Sequence, residues 1–224
     1  MTLGGRARRR RDGLNAGGVP RRPAAELLLI TIDEMTDRVL AAGLDVGGLA
    51  TPCSEWTLHD VIAHCSGTVH RVTSSRLHEF TPASNQDDVL ERRKWGLDAL
   101  LDELRESAVG AASAIGAAGG TLDGIGIGAW IHLGDVRAAL GDTEPFDSPG
   151  FGLALEVLKA RSRRLGLGLV AMVGSTTISF GSGDATGQLA TDRDTFIRLI
   201  AGRSPDPRRY TLVGATPEDL VLFR

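Results

Sequence analysis

A chain of 224 residues, 42% hydrophobic and 24% charged, has the composition of an ordinary soluble globular protein, long enough for one large domain or two modest ones. Its net charge of -3 argues against a dedicated nucleic-acid binder, and no apolar run reaches the ~18 residues that cross a bilayer. Cys53 and Cys65 form neither a CxxC pair nor a disulfide framework, so a reducing, cytoplasmic setting is expected, with the protein monomeric or homodimeric.

Residues 1–23 carry seven arginines (Arg6, Arg8, Arg9, Arg10, Arg11, Arg21, Arg22) among Gly, Pro and Asn, a composition that predicts a disordered tail. No apolar segment follows Arg11 directly, so the tail is a poor export signal. Leu27, Ile30, Met35 and Val39 predict a first helix from about Ala24 to Gly43, and the glycine-rich stretch to Pro52 predicts a loop. Thr57 and Asp60 form a T-x-x-D capping box, with Trp56 and Val61 as a hydrophobic staple. Behind them Leu58, Val61, Ile62, Cys65, Val69 and Val72 make a continuous helical stripe. Val89, Trp95, Leu97, Leu100, Leu101 and Leu104 predict a third helical pattern over 84–108, while the Ala/Gly-rich run to Gly120 reads as weakly ordered. Ala129, Leu133, Val136 and Leu140 then give a fourth long helix, whose flank carries Gly128, His132, Asp135 and Ala139.

Together these elements predict an up-and-down four-helix bundle over 24–143. After the linker 141–152 the sequence predicts a helix over 151–165 and short strands over 167–173, 176–180 and 185–190. An amphipathic helix over 192–201 and apolar segments at 210–213 and 220–223 follow. Strands after helices imply a small carboxy-terminal α+β subdomain over 150–224, and the fold class is α+β. The chain holds no P-loop, GxSxG or HExxH motif.

Two histidines stand apart. His132 borders the buried stripe of its helix, where a polar side chain can point into a bundle interior, the place where metal sites are built. Read alone, it is first a structural histidine bonded to a neighbour. His64 lies on one flank of the second helix with Thr57, Thr68 and Arg71, whereas His59 and His70 lie on the other and, with His78, read as surface groups. Arg92, Arg93 and Lys94 form a cationic run, a solvated face from which one member could reach inward toward an anion.

The segments Trp56-Thr-Leu-His-Asp60-Val-Ile-Ala-His64 and Trp130-Ile-His132-Leu-Gly-Asp135-Val-Arg137 resemble the mycothiol-dependent maleylpyruvate isomerase family, one of the DinB-like metal-binding four-helix bundles. Phe196-Ile-Arg-Leu-Ile-Ala-Gly202-Arg203 is similar to an apolar helix of that family's small carboxy-terminal domain. The resemblance covers about residues 24–224. It implies a divalent metal, zinc in the usual view, held by a histidine on the second helix and an E-x-x-x-H pair on the fourth. His64 and His132 match the two histidines, while Gly128 stands where the glutamate is expected. A substitute carboxylate (Asp60 or Asp135), a thiol ligand, or loss of the metal site are the three outcomes of that departure.

The resemblance further implies mycothiol as cosubstrate. The metal-bound thiolate adds to a conjugated double bond, the bond rotates, and elimination returns the trans isomer; in a transferase the adduct is the product. Arg93 or Arg92 from the bundle and Arg203 from the second domain are the cations expected to meet substrate carboxylates and the developing enolate. The leading expectation is thus a metal-dependent, mycothiol-using isomerase or S-transferase acting on a small electrophilic acid, with no membrane and no nucleic-acid partner. The alternatives are a non-catalytic binding module that has lost its metal, which Gly128 favours, and a metal-assisted hydrolase with Asp60 or Asp135 as base.

Overall fold

The computed structural model describes residues 22–53, 55–77 and 81–223. Most of the arginine-rich tail, residues 1–21, and His78 therefore lie outside the described residues, while Pro23 already occupies the first turn of a helix.

Helix α1 spans Pro23–Ala42 and ends at Gly43, whose φ of 98° only glycine adopts readily. Its core face is Leu27, Leu28, Ile32, Met35 and Val39, so Ile32 rather than Ile30 points inward. Helix α2 (Leu58–Thr73) begins at the expected capping box: the Thr57 amide donates to Asp60 Oδ2 at 2.9 Å, and the Asp60 amide donates to Thr57 Oγ1 at 3.3 Å.

The pattern read as one helix over 84–108 is two helices, α3 (Pro82–Arg92) and α4 (Leu97–Ala117). Thr81 and Ser84 cap the first, with Pro82 at its start, and Gly96 begins the second after a turn closed by Trp95 N–H to Arg92 O at 2.9 Å. Helix α4 also runs through the stretch expected to be weakly ordered. Ala108, Ala111, Ala112 and Ile115 are buried there, and alanine is the best helix former once packing is available.

Helix α5 (Asp123–Ala139) is buried on nearly every side, beyond the single stripe its sequence suggests. Gly126 lets it lie directly on α1: an added Cβ would sit 2.2 Å from the Ala24 carbonyl oxygen. Around the bundle α1 packs on α4 and α5, and α2 packs on the same two, so α1 and α2 face each other across the diagonal. The consequence for function is that α2 and α5, which carry His64 and His132, become neighbours. Helix α3 lies outside the four, against α2.

Helix α6 (Phe151–Ser162) packs on α1 and α5 and leads into strands β1 (Gly168–Val173), β2 (Thr176–Gly181), β3 (Ala185–Thr191) and, after α7 (Arg193–Ile200), β4 (Tyr210–Val213). The sheet order is β2-β1-β3-β4, with β1 antiparallel to β2, parallel to β3, and β3 antiparallel to β4. The last apolar segment is not a strand: Pro217–Leu220 forms a 3-10 turn, and Leu222 donates to the Ile200 carbonyl at 2.9 Å. Leu169, Ala171, Ile178, Phe180 and Phe196 belong to the same contiguous apolar core as the bundle helices. Among the described residues no helix is long and apolar enough to cross a membrane.

Candidate metal centre

His64 sits midway along α2 and is buried; His132 sits midway along α5 and is half-buried. Their rings meet edge-on with centroids 5.1 Å apart, and the Trp56 ring lies 4.9 Å from the first and 5.9 Å from the second. Trp56 is itself anchored by its indole N–H on Gln86 Oε1 at 3.2 Å.

Each histidine is the end of an arginine–aspartate–histidine chain. His64 Nδ1 lies 3.4 Å from Asp88 Oδ2, which also accepts from Arg71 Nη2 at 2.8 Å. Asp88 comes from α3 and reaches α2 because residue 67 is glycine, where an added Cβ would meet the Asp88 carboxylate at 2.7 Å. His132 Nδ1 lies 3.1 Å from Asp135 Oδ2, and the Arg203 guanidinium holds both oxygens of that carboxylate. In both chains Nδ1 is engaged, and among the described residues Nε2 makes no hydrogen bond. A carboxylate on one ring nitrogen is how metal-binding histidines are oriented.

Electrostatics fit that role. Burial lowers the His64 pKa to about 4 against the opposing pull of Asp88, so at neutral pH the ring is uncharged and able to donate a lone pair. Burial alone would raise the Asp135 carboxyl, but hydrogen bonds from His132 and Arg203 outweigh it and hold the group below the usual carboxylate range.

The sequence-derived substitutes for a third ligand fare differently. Asp60 is occupied by its cap, accepting from Thr57 N–H at 2.9 Å and Thr57 Oγ1 at 2.7 Å. Asp135 is present at the site, fully buried and held by His132 and Arg203. The donor that sequence reading missed is Cys53. Its sulfur, a His132 ring nitrogen and an Asp135 oxygen all lie within 4.8 Å of one another. Cys53 stands in the loop before α2, where no helical period marks a face. Its one local signal is a position just ahead of the Trp56–Thr57 cap.

Cys53, His64, Gly128, His132, Arg161 and Arg203 border a cavity of about 560 Å³. Nothing lies within 4 Å of a Cβ added at Gly128, so the place one turn before His132 is open space. Arg203 reaches the cavity, as its position suggested, with its guanidinium committed to Asp135. Arg93 is exposed at the end of α3 and does not line the cavity. Arg92 turns the other way, buried against Glu103 with bonds of 2.6 and 3.0 Å.

The remaining cations at the cavity are Arg161 and Arg164 at the end of α6. Arg161 Nη2 donates to the Leu222 carbonyl at 3.3 Å and its guanidinium lies over the Phe223 ring, while its buried Nε has no hydrogen-bond partner among the described residues. Burial and the neighbouring Arg164 lower its pKa against the opposing pull of Asp123.

No family profile and no curated protein matches the chain at a significant level. Among solved structures it is similar to the crystal structure of a mycothiol-dependent maleylpyruvate isomerase, at 17% identity over 87% of this chain and 94% of that one, with a TM-score of 0.52. A mutant of that isomerase aligns over the same shares at 14% identity and a TM-score of 0.48. At these identities the likeness is one of fold: a four-helix bundle joined to a small α+β unit.

Proposed function

We propose that this protein is a divalent-metal enzyme, with His64 and His132 as metal ligands, that uses a low-molecular-weight thiol to isomerise or thiolate a small electrophilic acid. The observation that carries the reading is the pair of arginine–aspartate–histidine chains ending side by side at one cavity. A histidine kept only for packing needs no buried carboxylate and arginine behind it. Two such chains, built from α2, α3, α5 and the segment after α7, orient two imidazoles toward one place. The donors fit zinc, which takes imidazole nitrogen, thiolate and carboxylate in tetrahedral sites.

A divalent ion at this position supplies Lewis acidity that keeps a bound thiol ionised at neutral pH. The chain's own groups supply the rest. Arg203 and Asp135 hold the His132 ring, and Trp56 packs beside both rings. Arg161 and Arg164 line the cavity, which favours a substrate bearing carboxylates and stabilises the enolate formed when thiolate adds to its double bond. Rotation about the new single bond and elimination return the thiolate and the trans acid. Mycothiol and maleylpyruvate, the thiol and substrate in the name of the similar isomerase, are the first pair to assay.

Metal analysis of the purified protein beside His64→Ala and His132→Ala tests the reading. Near-stoichiometric zinc in the wild type, lost in both variants, with thiol-dependent turnover only in the metal-loaded protein, is expected. A wild type that stays metal-free in micromolar zinc would leave the second reading, a bundle that binds without catalysing. Gly128, which offers no donor beside His132, is the observation favouring that second reading.

A further inference from the structure

We infer that Cys53 is a protein ligand of the metal site beside His132, so that the centre draws a donor from the loop before α2 and keeps a position for the thiol cosubstrate. The inference rests on the metal reading above and assigns a donor that α5 does not provide. Three observations meet here. Helix α5 has only Gly128 one turn before His132, and that place is open. Asp135 is the nearest carboxylate, but Arg203 holds both its oxygens and His132 Nδ1 shares one, which makes it the group that orients His132. That leaves the Cys53 sulfur, within 4.8 Å of the His132 and Asp135 donors and on the wall of the same cavity.

The loop holds Cys53 in place. Its amide donates to Thr51 Oγ1 at 3.1 Å and its carbonyl accepts from the Trp56 amide at 2.8 Å, tying it to the residue that packs on both histidine rings. A thiolate contributes one negative charge, as a carboxylate at position 128 would, so the net charge of the centre is preserved while the donor moves from helix to loop. With the His132 imidazole it makes a Cys/His donor pair that suits zinc or cobalt, whereas magnesium and calcium take oxygen ligands. The thiol is half-buried and burial raises its pKa against the pull of Arg203, so the metal would displace its proton on binding.

Cobalt(II) titration of the metal-free protein, reduced with a phosphine and free of added thiol, separates this inference from the reading beneath it. Visible d–d bands report tetrahedral binding, and a near-ultraviolet thiolate-to-cobalt charge-transfer band reports sulfur. Both are expected in the wild type and in Cys65→Ala. Cys53→Ser should lose the charge-transfer band and bind zinc about 100-fold more weakly or worse. Cys53→Ser combined with Gly128→Glu should regain zinc affinity, still without that band. Wild-type d–d bands with no charge transfer, or a charge-transfer band surviving in Cys53→Ser, would overturn the Cys53 assignment and leave the two-histidine site standing. No cobalt spectrum in a folded wild type would remove the metal site and this ligand with it.

Discussion

At the scale of single residues, the glycines of α5 show how differently one residue type can be used. Gly126 is compelled by contact, since a Cβ there meets the backbone of α1 at 2.2 Å. Gly128, two positions on, faces the cavity and touches nothing within 4 Å. Gly128→Ala should therefore gain about 0.5–1 kcal/mol through helix propensity, while Gly126→Ala should lose about 2 kcal/mol or more by forcing α1 and α5 apart. Urea denaturation of the two variants measures both, and equal shifts would mean that α1 and α5 are not in the contact described. The sequence singles out Gly128 on the His132 flank, but the contact that compels Gly126 is visible only from the neighbour it meets.

At the scale of elements, the start of α2 was legible because capping is local: Thr57 and Asp60 are three residues apart and need no tertiary partner. Thr57→Ala should cost about 1 kcal/mol, read as a lower melting temperature. The α3–α4 break was harder to read, because the apolar spacing runs on through Trp95, which is exposed, and the turn is set by Gly96 and by Arg92 folding inward. There Arg92 and Ser66 bond to Glu103. Burial would raise the Glu103 carboxyl, but Arg92 and Ser66 hold it below its ordinary value. Because the folded value is the lower one, this carboxylate contributes stability above its unfolded pKa of about 4.3 and loses it as pH falls through the folded value. Glu103→Gln should cost about 2 kcal/mol at pH 7. The gap between variant and wild-type melting temperatures should narrow toward pH 3. A gap unchanged with pH would mean that the pair contributes no pH-dependent stability.

At the scale of the whole molecule, Arg203 joins the carboxy-terminal part to the bundle by gripping Asp135 on α5. Arg203→Met leaves a fully buried carboxylate with His132 as its remaining partner, and should cost about 3 kcal/mol. The same substitution frees the His132 ring, so cobalt binding should weaken even at temperatures where the variant stays folded. Arg203→Lys keeps the charge but loses the two-pronged grip, and should fall between the two in both measurements. Loss of stability with unchanged cobalt affinity would make Arg203 a tether without influence on the site.

Most of the helices, the cap of α2 and the α+β class were determined by the sequence, because periodicity, capping and turn chemistry act over a few residues, whereas only the resemblance paired the two histidines. The diagonal placement of α1 and α2, which brings α2 against α5, was decided by tertiary structure, as was the inward turn of Arg92 while Arg93 stays outside. So too was the meeting of Asp88, Asp135 and Arg203 behind the histidines. Cys53 is the clearest case: its loop carries no period and its sulfur gains meaning only from donors 79 and 82 residues later, His132 and Asp135, that the fold brings within 4.8 Å. Local interactions select elements, but a metal centre is a coincidence of distant side chains, and only packing of the whole chain creates it.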